Sequence, residues 1–181
     1  EALKDTCFFA AAMVSAGEDL AACMDSFGGA PLMAEEYVPY QAELSMLIAR
    51  SDSEMVLYPV SANQHEGGVL RESVIPAPVS DAVVEAVRAI SVDAMRLLDD
   101  YGVFCIEFFL AHDGRVLVNE IAPRPHNSGH YTIEACAASQ FEQQLRVITG
   151  LPLGASELRG SCALFNILGS DRITGEYVIS A

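Results

Sequence analysis

A single carboxylate inside an apolar run constrains this chain more than any other feature. Val103-Phe104-Cys105-Ile106-Glu107-Phe108-Phe109-Leu110 is apolar except at Glu107, the pattern of a strand covered on both faces. It is followed by His112-Asp113-Gly114-Arg115 and then by Asn119-Glu120. Asp-Gly is a strong signal for a two-residue hairpin loop. With Asp113 and Gly114 as that loop, His112 pairs with Arg115, and counting back along both strands sets Glu107 opposite Glu120. Opposed side chains on one sheet face lie roughly 5 Å apart. Two carboxylates that close repel, and burial raises the cost. A hard cation between them relieves it, and oxygen ligation suits magnesium, which usually arrives with substrate phosphates. A pair of glutamates on adjacent strands can also be a solvated face, but the apolar neighbours of Glu107 argue against open water.

The twelve residues from Asn119 to His130 are equally dense in chemistry. Arg124 offers a planar fork for a carboxylate-like ion. His126, Asn127 and Ser128 add donors, and Gly129 allows close backbone approach. A small carboxylate-like anion fits such a site. His126 and His130 have the spacing of a helical zinc pair, but Pro123 and Pro125 keep the chain before His126 out of a helix, and no third ligand is evident. Two carboxylates about 5 Å apart would also serve a retaining glycoside hydrolase. The absence of tryptophan argues against that reading, since sugar faces stack on aromatic rings.

Along the rest of the chain, residues 1–16 read as either strand or helix, and a helix runs from Ser15 or shortly after to about Ser26, stopped by Gly28-Gly29. Strands are expected over Pro31 to Tyr37, Glu43 to Ala49, Met55 to Pro59, Val69 to Ile75 and Ala163 to Leu168. Asn63 to Gly68 reads as a polar turn. Ser80 caps a long helix to about Asp99 with an apolar face of Val83, Val87, Ile90, Ala94 and Leu97. Ser139-Gln140-Phe141-Glu142 is a capping box opening a helix with Phe141, Leu145 and Ile148 as its face. Hairpins outnumber βαβ units, which implies an α+β layer structure with a largely antiparallel sheet.

The chain has 181 residues, 51% of them hydrophobic, with 10 basic and 25 acidic residues and a net charge of -15. That length supports a real core. The acidic balance argues against nucleic acid or an anionic membrane as partner, because phosphate contacts need clustered Lys and Arg. Any phosphate site must then rely on metal and backbone N–H groups. The five cysteines (Cys7, Cys23, Cys105, Cys136 and Cys162) are scattered and odd in number, as in a reduced cytoplasmic protein. The start at Glu1, without Met or a signal-peptide pattern, reads as an excised piece of something longer.

The segment Asn119 to His130, with Ser139-Gln140-Phe141-Glu142-Gln143 and Gly150-Leu151-Pro152-Leu153-Gly154, resembles the ATP-grasp 5-(carboxyamino)imidazole ribonucleotide synthases of purine biosynthesis, and the matching domain of fungal and plant phosphoribosylaminoimidazole carboxylases. The resemblance runs from about Glu35 to Gly169. It implies an ATP-grasp fold, with residues 1–30 from the small lid subdomain, 31–169 the core and 170–181 the start of the next region. It also implies a ligase that uses ATP, Mg2+ and bicarbonate to carboxylate 5-aminoimidazole ribonucleotide, in a full-length parent that could form a homodimer. Glu107 and Glu120 would hold magnesium, and Arg124, His126, Asn127 and Ser128 would handle bicarbonate. Glu35, Glu36, Tyr37 and Val38 would form the adenine hinge. Glu43 would meet the ribose, and His65, Asn119 and Glu120 would contact the nucleotide. From the residues alone, Glu35 and Glu43 are ordinary surface charges and His65 a solvated loop imidazole. The lid lysine and the Gly-rich loop of the family are not found in residues 1–30, and Gln144 stands where the family commonly has His. A truncated, inactive domain with residual nucleotide binding is therefore the alternative for this piece.

Overall fold

The computed structural model describes residues 12–15 and 17–167. Most of the ambiguous stretch before Val14, along with Cys7 and residues 170–181, lies outside them. The chain divides into two compact units, one ending at Tyr37 and the other beginning at Val38.

In the first unit, helix α1 (Leu20–Ser26) is capped by Asp19, whose carboxylate accepts from the backbone N–H groups of Ala21 and Ala22. That satisfies two donors the first turn would otherwise leave bare. The expected strand from Pro31 to Tyr37 is not formed; these residues are exposed and without regular structure. The local sequence favours an extended backbone, but no strand among the described residues pairs with it to make it a sheet strand.

The second unit is a seven-stranded sheet. Its strands are β1 (Tyr40–Arg50), β2 (Met55–Leu57), β3 (Ser61–Glu66), β4 (Val69–Ile75), β5 (Gly102–Ala111), β6 (Val116–Ala122) and β7 (Cys162–Phe165). The order is β6-β5-β1-β3-β4-β7, with β2 also paired to β1, and every pairing is antiparallel. The α+β, largely antiparallel architecture expected from the hairpin pattern is the one observed.

β3 is the main departure from the sequence reading. Asn63, Gln64, His65 and Glu66 belong to a strand, and only Gly67-Gly68 turns the chain into β4. The polarity that suggests a turn arises because the strand positions beside β3 on this face, Glu43 and Ser45 of β1 and Ser73 of β4, are themselves polar, while Leu47, Ile75, Cys105 and Ala122 form a second buried apolar cluster. Period-two alternation sorts the two faces. Leu44, Met46 and Ile48 of β1 and Phe104, Ile106, Phe108 and Leu110 of β5 form the main core together with Val87 and Met95 of helix α2 (Asp81–Leu98). The intervening residues Glu43, Ser45, Cys105 and Glu107 face the other way.

α2 ends as expected, at Asp99 in the left-handed region (φ 46°). Its buried line is Val87, Ser91 and Met95, flanked by half-buried Val83, Val84, Ile90 and Ala94, whereas Leu97 is 87% exposed. The buried line is therefore turned from the expected stripe at the helix end, where Arg50 reaches the Met95 carbonyl and the Asp99 carboxylate.

Two short helical elements follow β6, a 3-10 turn at Asn127–Gly129 and helix α3 (Thr132–Ala135). Helix α4 (Gln140–Thr149) then begins at Ser139, whose hydroxyl accepts from the Glu142 N–H. Half of the expected capping box is present. Glu142 does not reach back to Ser139 but pairs with Arg146 one turn on, at 2.7 Å. The buried face of α4 is also not the apolar one. Gln140 and Gln143 are fully buried, while Phe141, Leu145 and Ile148 are 41%, 60% and 66% exposed. The two glutamines turn inward because each clamps a backbone segment through both ends of its amide: Gln143 on Gly154, and Gln140 on His126. No helix among the described residues is long and apolar enough to cross a membrane.

Candidate functional site

The hairpin sets Glu107 directly opposite Glu120, but by a different route from simple counting. The loop holds three residues, with Gly114 donating to the Ala111 carbonyl and Ala111 to the Arg115 carbonyl, both at 2.9 Å. Gly114 takes φ 88°, as a left-handed position after a tight turn requires. Leu110 therefore pairs with Val116, one residue out of the expected register, and His112 is an exposed loop residue rather than the partner of Arg115. A bulge at Asn119, between the pairs Phe108–Val118 and Glu107–Glu120, restores the register. The extra residue turns the Glu120 side chain onto the face that carries Glu107.

Glu107, Glu120 and His126 bring ligand atoms within 4.8 Å of one another. Glu107 Oε1 is buried and has no hydrogen-bond partner; its nearest cation-capable neighbour is His126 Nε2 at 3.8 Å. Burial first, and the Glu120 carboxylate second, push Glu107 up to about 6. Burial first, then Arg124, push His126 down to about 4, so it is neutral at physiological pH. A buried acceptor without a donor is costly. Two carboxylates sharing that space fit an oxygen-preferring divalent cation.

The segment after β6 is held rigidly. Gln140 Oε1 accepts from the His126 N–H at 2.9 Å, and Gln140 Nε2 donates to the His126 carbonyl at 2.8 Å. The Gln140 N–H donates to Thr132 Oγ1, and Thr132 donates in turn to the Gly129 carbonyl. Gly129 leaves no room for a side chain. A Cβ there would come closer than 3 Å to both Leu47 Cδ1 and the Gln140 amide. Gly129→Ala is accordingly expected to displace Gln140 and loosen His126, costing on the order of 1–3 kcal/mol of stability through overpacking. Urea unfolding of the two proteins measures the cost, and a midpoint equal to that of the parent would show that the clamp tolerates the methyl group.

The structure unites most of the residues singled out from sequence. A small cavity of about 10 Å³, the scale of a single water, is lined by Glu43, Asn63, His65, Glu107, Phe109 and Asn119 among others. His65 is not a solvated loop residue: its Nδ1 lies 2.6 Å from Glu43 Oε2, and Tyr40 donates to Glu43 Oε1 at 2.9 Å. Arg124 is exposed, donates to the Pro125 carbonyl at 3.0 Å, and makes no ion pair among the described residues. Asn127 is exposed and lines a different cavity, with His130 and Phe141. Ser128 is buried, and its hydroxyl is engaged by Ser45 and His126. His130 stands apart from the carboxylates, exposed against the Phe141 ring at 5.8 Å, so His126 and His130 do not form a zinc pair. Glu35, Glu36 and Tyr37 lie exposed in the first unit, and Val38 opens the second.

Sequence reasoning missed Ser45, Ser61, Asn63, Ser73 and Gln140, all of which support the site. The polar alternation Glu43-x-Ser45 and Ser61-x-Asn63-x-His65 was the available signal. It marks two strands that turn one polar face toward Glu107.

Comparison with known proteins bears on the family and the fold. The sequence model of the ATP-grasp domain matches residues 10–141. The chain is 41% identical over 143 residues to the N5-carboxyaminoimidazole ribonucleotide synthase of Brucella melitensis, covering 78% of this chain and 40% of the relative. It is 40% identical over 153 residues to the phosphoribosylaminoimidazole carboxylase of Ogataea methanolica, covering 81% and 28%. Among solved structures, the carboxyaminoimidazole ribonucleotide synthase of an Aspergillus clavatus complex with ATP superposes with a TM-score of 0.80 at 35% identity, over 84% of this chain and 41% of that one. The chain thus spans about two fifths or less of the length of these relatives. A sheet with opposed glutamates on one polar face, the matching family model and the shared fold lead to one assignment: the chain belongs to the ATP-grasp family.

Proposed function

We propose that the protein carrying this chain is an ATP-dependent ligase that carboxylates 5-aminoimidazole ribonucleotide with bicarbonate, as the names of its relatives suggest. The observation that carries the reading is the pair Glu107–Glu120, with the unpartnered Glu107 Oε1 facing a neutral His126. A bicarbonate oxygen attacks the γ-phosphorus of ATP and ADP leaves. The exocyclic amine then forms a C–N bond to the carboxyl carbon, phosphate departs with the C–O electron pair, and the nitrogen loses a proton. Glu107 and Glu120 would hold magnesium, which when bound offsets the charge of the ATP phosphates. Arg124, His126 and Asn127 present N–H groups on one short turn and would orient bicarbonate. Ser128 acts behind His126, since its hydroxyl is buried. Glu43 and His65, fixed to each other, would meet the nucleotide together with Asn119, and residues 35–38 would contribute the adenine contacts. In this reading residues 1–30 belong to the lid subdomain, 31–169 to the core and 170–181 to the region after it.

The alternative of two carboxylates acting on a sugar has no support in the relatives. The deciding experiment measures ADP release by the full-length protein with ATP, magnesium and bicarbonate, with and without 5-aminoimidazole ribonucleotide. Release that depends on both bicarbonate and the ribonucleotide is expected. Release indifferent to the ribonucleotide would assign the chain to an ATP-grasp enzyme with another acceptor.

A further inference from the structure

Behind His126 runs a chain of buried polar side chains that the reaction does not itself require. Ser45, Ser61, Ser73 and Ser128 are each 2% exposed or less. They come from β1, β3, β4 and the turn after β6, and meet beneath the site because Ser45 pairs with Ser61, and Asn63 with Ser73, across neighbouring strands. Four hydroxyls on one buried face of a sheet are costly unless every one is bonded. Here each of them is.

The direction of the bonds follows from one fixed end. The Ser128 backbone N–H, which can only donate, points at His126 Nδ1 at 3.4 Å. Nδ1 is therefore an acceptor, and the ring proton sits on Nε2. Ser128 Oγ, 3.0 Å from the same nitrogen, must then donate to it as well. Ser128 Oγ accepts from Ser45 Oγ at 2.9 Å. With its proton committed, Ser45 Oγ can only accept from Ser61 Oγ at 2.7 Å and from Asn63 Nδ2 at 2.9 Å. Asn63 Oδ1 takes the Ser73 proton at 2.8 Å. Every link points toward the imidazole.

We infer that Asn63, Ser45 and Ser128 are positioning residues that form a one-way hydrogen-bond relay, holding the proton of His126 on Nε2 and thereby keeping that nitrogen a donor toward the space beside Glu107. The inference rests on the reading of His126 as an anion holder only for its purpose; the relay itself is a property of the fold. A donor at Nε2 meets an anionic oxygen, whereas the other tautomer would turn a lone pair toward the same oxygen and toward the Glu107 carboxylate. The Gln140 clamp fixes where the His126 backbone sits, and the relay fixes which nitrogen carries the proton. Asn63 is the switch point. An amide donates to Ser45, but a carboxylate of the same shape can only accept. Asn63→Asp would draw the Ser45 proton to itself, leave Ser45 Oγ to accept from Ser128, and let Ser128 Oγ accept from Nδ1–H.

The test uses the full-length protein with 15N-labelled histidine, at pH 8, where the imidazole is neutral. The ring-nitrogen shifts of His126, identified by their loss in His126→Asn, report which nitrogen is protonated. The expected wild-type result is a single Nε2–H form. Asn63→Asp, and Ser45→Ala as the variant that adds no charge, should raise the Nδ1–H share about fivefold or more, the effect of one hydrogen bond gained or lost. An Nδ1–H wild type, or an unchanged Nε2–H form in both variants, overturns the relay. The same samples are assayed for the bicarbonate KM. A tautomer shift with a raised bicarbonate KM supports both the relay and its purpose. A tautomer shift with an unchanged KM keeps the relay and removes His126 from the anion site.

Discussion

Glu107→Gln is expected to abolish magnesium-dependent ATP turnover in the full-length protein while leaving the metal-free fold as stable as before, or more stable. The two effects have one cause. Glu107 is held at about 6 by burial and by Glu120, so its charged form is strained in the folded state. Its contribution to stability is full below the ordinary carboxylate range and is lost as pH rises from about 4.5 through about 6. At 1.4 kcal/mol per pH unit, the amide variant should recover on the order of 2 kcal/mol above pH 7. The same charge is what a cation needs. Losing one anionic ligand of two should lower turnover by a factor on the order of 100 or more. Glu120→Gln, on the exposed partner, should lose turnover equally but gain little stability. In the parent, magnesium affinity should fall with each pH step below about 6 as Glu107 takes up a proton, and this titration should vanish in Glu107→Gln. Thermal unfolding without metal, and turnover with it, separate the outcomes. Turnover within a factor of two of the parent in either variant would remove the carboxylates from the metal site.

The strand pair that carries these glutamates shows both the reach of the sequence and its limit. The apolar run around Glu107 and the Asp113-Gly114 signal were enough to find the hairpin and to oppose the two carboxylates. The turn itself is one residue longer than a two-residue loop, and the opposition survives because the Asn119 bulge takes up the difference. A bulge leaves no mark in composition, since it depends on which pairing lets Glu120 share a face with Glu107. α4 failed for a related reason. Its periodicity correctly named an apolar stripe at Phe141, Leu145 and Ile148, but burial followed Gln140 and Gln143, whose amides each satisfy two backbone groups at once. Hydrophobic pattern ranks faces by transfer free energy and is blind to partners distant in sequence. β3 was hidden by the same blindness. Its residues Ser61, Asn63 and His65 are polar because their neighbours Ser45, Ser73 and Glu43 are polar, and that is visible only once the strands are side by side.

Arg124→Lys is expected to weaken the use of bicarbonate far more than the use of ATP. Arg124 lies next to the Pro125 carbonyl, to which one of its N–H groups donates. That bond occupies one of its donors, and no carboxylate among the described residues pairs with the others. An exposed fork with no carboxylate partner, near a buried neutral imidazole, is suited to gripping a small planar anion at two points. Lysine keeps the charge, so long-range attraction for ATP survives, but it loses the planar grip and the tether to Pro125. A charge-assisted hydrogen bond is worth about 1.5–3 kcal/mol, so the apparent KM for bicarbonate should rise roughly ten- to a hundredfold while that for ATP stays within about threefold. The loss of positive charge density near the ring should be small, which leaves His126 neutral and in place; a changed His126 ring-nitrogen shift would show that the substitution acted through the imidazole instead. If the ATP KM rises while the bicarbonate KM does not, Arg124 belongs to the phosphates. The turn after β6 would then present only His126 and Asn127 to the anion, and a guanidinium or lysine from the part of the protein outside this chain would have to complete the grip.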